Sequence, residues 1–364
     1  MEKLFPADEL SKPERVLRAL AHQSVDRVPV HDQLSYNPAV VAHYNNKPDT
    51  GFNFTVADIG VAVRRTLDMA FPLVAPQGKE QRTSSDGFVY QADEWTRWIV
   101  QRPFDTEEGA RDWLAAKTQR LAQESFNPDS ARARHRKYMA EWHELAGNTV
   151  MLDLAWLGFS NAIEAIGLEL FVYMVDDYPE VFTDYMAVCG DRAVRHAHAV
   201  ADAELSPVVL IPEDFATKGG PIFPPEFLRS ELFPHVRRQT EAWQEHGVNV
   251  LYHTDGNYRS MIPDLIDTGV QGFYCLEPNV GMDIVELKRN WPQMTWAGSV
   301  DGVDLLERGT PTEVRAEVLR QIHETDALQG GVIIASSSEI NPPIPLENYR
   351  AMVEAVDEVR NTEI

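Results

Sequence analysis

The sequence predicts an α/β fold, a closed (β/α)8 barrel. Two observations carry this expectation: eight short apolar runs recur along 364 residues, and each is followed by a polar or glycine break and a helical stretch. Strands alternating with helices place a parallel sheet under cover on both faces. Eight such units argue for closure rather than an open sheet. The length agrees, because α/β barrels routinely run this long as one domain.

The expected strands, in order, are Arg27–His31, Ala70–Val74, Val150–Leu154, Pro207–Ile211, Val248–His253, Gly272–Leu276, Thr295–Gly298 and Gly331–Ala335. Amphipathic segments such as Pro225–His246, Tyr258–Thr268 and Pro311–Asp326 lie between them. Two insertions interrupt the repeat before residue 145: Asp86–Gln101 reads as a hairpin and Thr106–Leu145 as charged helix. The expectation is one domain over 1–364, with its insertions at about 84–147. Within the helical insertion, Arg132-Ala133-Arg134-His135-Arg136-Lys137 reads as a solvated face.

Composition bounds the function. A net charge of −23 speaks against nucleic acid or an anionic membrane as partner. Cys189 and Cys275 stand far apart in no CxxC pattern, which fits a reducing compartment rather than a disulfide framework. The N-terminal residues carry no basic-then-apolar signal and no run is long enough for a membrane helix, so a cytoplasmic protein is expected.

The residues following each run carry the chemistry. They are His31-Asp32 after the first, Asp153 in the third with Trp156 beyond it, and Glu213-Asp214 after the fourth. His253-Thr254-Asp255-Gly256 ends the fifth and Glu277 follows the sixth, while Ser299 with Asp301 and Ser336-Ser337-Ser338-Glu339 close the last two. In a parallel barrel all of these reach one rim, where active sites are built. Crowded carboxylates repel, which raises some pKa values and readies them as acids or cation ligands. Each piece also has an innocent reading. Asp255-Gly256 makes a turn, Glu213-Asp214 caps the next segment, and the serines form a small-residue loop. His196 and His198 read as surface, Asp176-Asp177 as a helix boundary, and Lys218-Gly219-Gly220-Pro221 as a mobile loop.

Taken in order, several motifs resemble the uroporphyrinogen decarboxylase superfamily, specifically its branch of corrinoid-dependent methyltransferases. They are Glu14-Arg15-Val16-Leu17-Arg18-Ala19-Leu20, Asp26-Arg27-Val28-Pro29-Val30, Glu213-Asp214-Phe215-Ala216 and Gly220-Pro221-Ile222-Phe223-Pro224-Pro225-Glu226-Phe227. His253-Thr254-Asp255-Gly256-Asn257, Leu276-Glu277-Pro278, Gly298-Ser299-Val300-Asp301 and Pro345-Leu346-Glu347-Asn348 complete the set. The resemblance implies a TIM-type barrel with its site at the C-terminal strand ends.

The porphyrinogen decarboxylases place arginines after the first strand to grip a polycarboxylate. Here that position reads His31-Asp32-Gln33-Leu34-Ser35-Tyr36. The thiol-methylating members hold zinc through a His-x-Cys pair and a later cysteine. The matching positions here are His253-x-Asp255 and Ser338, a harder donor set.

The resemblance therefore implies methyl transfer between a small O- or N-methyl substrate and a corrinoid carried on a separate partner protein. On that reading His253, Asp255, Glu213 and Asp214 are the expected catalytic groups. His31, Trp156, Phe215, Glu277, Asp301 and Glu339 are expected to contact substrate. His253, Asp255 and Ser338 would hold zinc or another divalent metal, if one binds. A homodimer is implied by family habit. The alternatives are decarboxylation, of the uroporphyrinogen type or on a smaller acid, methyl transfer from corrinoid to an acceptor, and a non-catalytic corrinoid- or tetrapyrrole-binding protein.

Overall fold

The structure, a computed structural model, describes residues 4–361. Eight parallel strands close into a barrel. They are β1 (His31–Asp32), β2 (Met69–Ala70), β3 (in two pieces, Val150–Met151 and Asp153–Leu154) and β4 (Val208–Pro212). β5 (Asn249–His253), β6 (Gly272–Tyr274), β7 (Thr295–Val300) and β8 (Val332–Ser336) follow. Each strand pairs in parallel with the next, from β1 through β8. A parallel bridge between Val30 and Ile334 brings β8 back to β1 and closes the ring.

The strand interiors obey a period of two. Val208 and Leu210 of β4, Leu251 of β5, Ala297 of β7 and Ile333 of β8 fill the lumen with Met69 and Tyr274. Val209, Ile211, Val250, Tyr252 and Ile334 face outward into the layer packed by the helices. Helices of the outer layer start on side-chain caps where the sequence offers them. Thr310, for example, caps Pro311–Glu324 in a reciprocal box with Glu313, satisfying amide donors that the first turn leaves free.

Several expectations are corrected. The second strand ends at Ala70 rather than running to Val74, because Pro72 has no N–H to give to a ladder. The sixth stops at Tyr274 rather than Leu276. The hairpin is a three-stranded antiparallel sheet, Glu80–Thr83, Val89–Ala92 and Arg97–Gln101, so the insertion starts earlier than residue 84. The helical insertion is two helices, Glu107–Gln123 and Pro128–Ala146, the second opened by an Asn127 cap and Pro128 at its first turn. Lys218 and Gly219 are not an unanchored loop, since Ala216–Thr217 pairs with Gly220–Pro221 in a small ribbon.

The first two motifs of the chain, Glu14–Leu20 and Asp26–Val30, build the closed end of the barrel, away from the strand C-termini. Arg15 and Arg27 are fully buried around Asp68, with Arg15 Nη1–Asp68 Oδ1 and Arg27 Nη1–Asp68 Oδ2 both at 2.7 Å. Arg15 Nε also meets Asp26 Oδ1 at 2.7 Å, and the Val30 N–H donates to Asp68 Oδ2 at 2.9 Å. The network ties the first helix to β1 and β2. The paired guanidinium groups hold the Asp68 carboxyl below its ordinary range despite burial.

Candidate active site at the barrel mouth

Strand parity decides which rim residues face the lumen. His253 continues the inward series of Leu251, and Asp214 continues that of Val208 and Leu210. The two meet. His253 Nε2 lies 3.7 Å from Asp214 Oδ1 and 3.8 Å from Asp255 Oδ1. One donor atom from each of the three lies within 4.8 Å of the others, a spacing suited to one metal ion.

The turn after β5 is held on both sides. The Asp255 N–H donates to Asp214 Oδ1 (3.0 Å), and the Gly256 N–H donates to Glu277 Oε1 (2.7 Å). Gly256 takes φ +79°, and a Cβ there would sit 2.6 Å from the Thr217 carbonyl oxygen, so only glycine fits.

Two carboxyl groups of the mouth, Asp255 and Asp32, are raised above the ordinary carboxylate range. Lost hydration raises the Asp255 carboxyl, His253 pulls it down, and Asp214 and Glu277 push it up again. Its side chain is 60% exposed, so solvent screening keeps this effect modest. Asp32 is fully buried and its carboxyl is pushed up to about 7 by loss of hydration. It accepts from the Ser336 hydroxyl (2.9 Å) and the Gln33 N–H (3.0 Å), which moderate the shift. His31 is buried with Nδ1 on the Met69 carbonyl (3.1 Å), and burial lowers its pKa to about 4, so it is a neutral imidazole. Among the described residues its Nε2 has no hydrogen-bond partner. Tyr274 stands between the two imidazoles, 5.0 Å from the His31 ring and 5.6 Å from that of His253.

Other expected site residues are placed differently. Glu213 has outward parity. Its carboxylate accepts from the N–H groups of Leu157 (2.5 Å), Gly158 (2.7 Å) and Ser160 (2.7 Å), where a helix begins. It thereby holds the loop after β3, while the neighbouring Asp214 N–H donates to Ser160 Oγ (2.6 Å). Phe215 does not form a substrate wall. It is fully buried in the outer layer, 5.9 Å from Phe233 and 6.2 Å from Tyr252. Asp301 caps the turn that follows β7, accepting from the N–H groups of Val303 (2.9 Å) and Asp304 (2.6 Å). The Ser338 hydroxyl turns to the Glu339 carbonyl (3.3 Å), and Asp214 rather than Ser338 is the third group beside His253 and Asp255. Glu339 adds its charge to Asp32. Trp156 is half-exposed and lines a cavity between the loop after β3 and the insertion sheet, which none of Asp214, His253 and Asp255 lines.

Three groups escaped the sequence reading: Asp32 as a proton-holding carboxyl, Tyr274 between the imidazoles, and Cys275. The Cys275 thiol is buried beside the Asp255 carboxyl and donates to the Ser337 carbonyl. Counting alternate positions back from the strand interiors would have singled out Tyr274 and separated Asp214 from Glu213.

The uroporphyrinogen decarboxylase (URO-D) family model matches residues 143–359, which hold β3 to β8 and the whole His253 group. The chain belongs to this family. Its curated relatives include two proteins named methylcobamide:CoM methyltransferase MtaA. One, from Methanosarcina barkeri (strain Fusaro / DSM 804), is 22% identical over 200 residues, covering 54% of this chain and 55% of the relative. The other, also from Methanosarcina barkeri, is 23% identical over 201 residues, with 54% and 55% covered. The chain thus spans about half the length of the curated relatives it matches. Among solved structures, a methyltransferase from Methanosarcina mazei shares the fold with a TM-score of 0.67 at 17% identity. That match covers 96% of this chain and 99% of the other. The barrel is therefore the family's fold over nearly the full chain, and the sequence match extends over its C-terminal six strands.

Proposed function

We propose that this protein is a corrinoid-dependent methyltransferase, acting between a small O- or N-methyl compound and the cobalt of a separate corrinoid protein. The observation that carries the reading is the lumen-facing group of His253, Asp214 and Asp255. Among the described residues no lysine or arginine forms an ion pair with Asp32, Asp214, Asp255, Glu277 or Glu339. A mouth so equipped suits a neutral or cationic substrate. It does not suit a polycarboxylate, whose charges would be buried without partners, and this weighs against decarboxylation of a porphyrinogen. The names of the curated relatives support the corrinoid link.

In the direction from the methyl compound to the corrinoid, the carbon–heteroatom bond would break as the methyl group passes to cobalt(I), which would supply the electron pair. The heteroatom leaves with the electrons of its broken bond, and an oxygen leaving group needs a proton or a Lewis acid. His253 and Asp255 stand where that proton would be held. Asp214 orients both, through its contacts with the imidazole and with the Asp255 N–H. The same three groups fit a divalent cation, with one imidazole and two carboxylates as donors. When bound, such an ion would polarise the leaving atom. Asp in place of a thiolate makes the set harder than a zinc–thiolate centre and less suited to activating a thiol.

The test is methylation of cob(I)alamin, followed by its absorbance change, with methoxylated aromatics and methylamines as donors. Wild type should methylate it with at least one donor, and His253→Ala should fall by about a hundred-fold or more, the range of a general acid's contribution. No methylation with any donor, or an unaffected His253→Ala, would overturn the reading.

A further inference from the structure

A cavity of about 530 Å³ opens beside the barrel mouth, between the loop after β3 and the insertion sheet. Its walls are the three-stranded insertion sheet, helices Glu107–Gln123 and Pro179–Val200, and the loop after β3. None of Asp214, His253, Asp255, Tyr274 and Glu277 lines it. We propose that this cavity is a second small-molecule site, built to take a flat aromatic anion such as an aromatic carboxylate or sulfonate.

The aromatic part of the argument is the wall. Phe88, Trp113 and Tyr185 form its inner side, with Phe88 and Trp113 ring centroids 5.3 Å apart in an edge-to-face pair. Trp156 and Phe126, two of the exposed large apolar residues of the chain, stand at its rim. Flat rings facing a common space offer stacking and edge contacts to another ring. A volume of about 530 Å³ lies within the range of small-ligand pockets.

The anionic part is the charge. Four arginines and lysines line the cavity against two carboxylates, in a chain whose net charge is −23. Arg192 is already engaged, with Glu124 at 2.6 Å, and the Asp86 carboxylate accepts from Ser84 Oγ at 2.6 Å. Arg97, Lys117 and Arg195 form no ion pair among the described residues. Lys117 is the telling one. Its ammonium lies 4.8 Å from the Trp113 ring centroid and 6.0 Å from that of Tyr185, and partial burial lowers its pKa. Ring faces and the Asp86 charge compensate only part of the hydration that such a cation loses. An anion seated between Lys117 and the arginines would restore the rest, while its ring filled the apolar wall. Gln239 stands at the cavity floor, where its side-chain oxygen offers nothing to an anion and is left for a water. It is 2% exposed, its Nε2 donates to the Ala155 carbonyl (3.0 Å), and its Oε1 has no donor among the described residues.

The inner wall is the segment that Glu213 holds, so the cavity and the mouth share the 155–160 loop without sharing ligand-contacting residues. The proposal therefore stands whether or not the mouth transfers methyl groups.

The test is calorimetric titration of the full chain with 2-naphthoate, and with the neutral 2-naphthamide as control. Saturable one-site binding of 2-naphthoate is expected, about ten-fold or more tighter than that of the amide. Lys117→Met should weaken it about ten-fold while His253→Ala leaves it unchanged. Arg195→Gln, an exposed change that leaves the core intact, should weaken it several-fold and serves if Lys117→Met does not fold. The proposal is overturned by absence of saturable 2-naphthoate binding, by equal affinity for the amide, or by binding that His253→Ala removes. Binding that both cation variants leave untouched overturns it as well.

Discussion

At the residue scale, two buried neighbours titrate in opposite senses across one pH window. Asp32 has its carboxyl raised from 3.8 to about 7 by burial. A raised carboxyl stabilises the fold below the unfolded value, and that contribution is lost as pH rises toward 7. His31 has its imidazole lowered from 6.5 to about 4. A lowered imidazole gives stability that is present above 6.5 and lost as pH falls toward 4. The contributions are on the order of 4–5 kcal/mol for Asp32 and 3–4 kcal/mol for His31 at about 1.4 kcal/mol per unit, so they largely offset one another in the wild type. We expect Asp32→Asn to expose the histidine slope, losing stability from pH 6.5 to 4.5 relative to wild type. His31→Phe should expose the carboxyl slope, losing stability from pH 5 to 7. Urea unfolding at four pH values measures both, and parallel profiles for the three proteins would refute the assignment.

Glu213 tests a different point at the same scale. Its three N–H contacts make it a tie for the loop after β3. Glu213→Gln keeps one acceptor oxygen and turns an NH2 group toward amide donors, at a cost of roughly 2 kcal/mol. The expected outcome is a lower urea midpoint. A variant with wild-type stability and lost activity would instead make Glu213 the acid.

At the scale of elements, the closed end of the barrel is centred on Asp68, the carboxylate that both buried arginines share, with Asp26 and Asp8 at its flanks. Asp68 accepts from Arg15, from Arg27 and from the Val30 N–H, all buried. Asp68→Asn leaves two guanidinium groups under-compensated, and breaking such a pair costs about 3–5 kcal/mol. It should lower stability by that amount, read from chemical unfolding, while leaving cation binding at the mouth within a few-fold. The same network shows what was legible beforehand. Arg15, Asp26 and Arg27 belong to motifs on which the resemblance in the sequence rests, yet nothing in their spacing reveals that Asp68, dozens of residues away, joins them. The barrel itself was legible because apolar runs and polar breaks are local signals. The strand that ended early did so at Pro72, a signal present in the sequence and outweighed there by the apolar run around it. The third strand of the insertion sheet was harder to see, because Glu80–Thr83 is polar and carries no alternation. At the site, His253 with Asp255 was readable from a strand ending in a turn. The pairing of Asp214 with them required parity, and the neutral state of His31 required burial, which no local pattern encodes.

At the scale of the whole molecule, the field of the chain bears on what the mouth binds. A net charge of −23 surrounds three donor groups that sit partly exposed at a barrel end. Cation affinity there has two parts. The direct contacts with His253, Asp214 and Asp255 act over a few ångströms and respond little to salt. The remaining carboxylates act across the Debye length, which shrinks from about 30 Å at 0.01 M to about 3 Å at 1 M ionic strength. If the distant charges matter, raising NaCl from 20 to 500 mM should weaken Mn²⁺ binding by about ten-fold through a slower association rate. Dissociation, governed by the local donors, should change little. His253→Ala should remove the site at every salt concentration, since two carboxylates half in solvent make a poor ligand set. Manganese titration followed by electron paramagnetic resonance measures the constants, and stopped-flow exchange separates the rates. An affinity flat in salt would assign all of the binding to the three donors and none to the field.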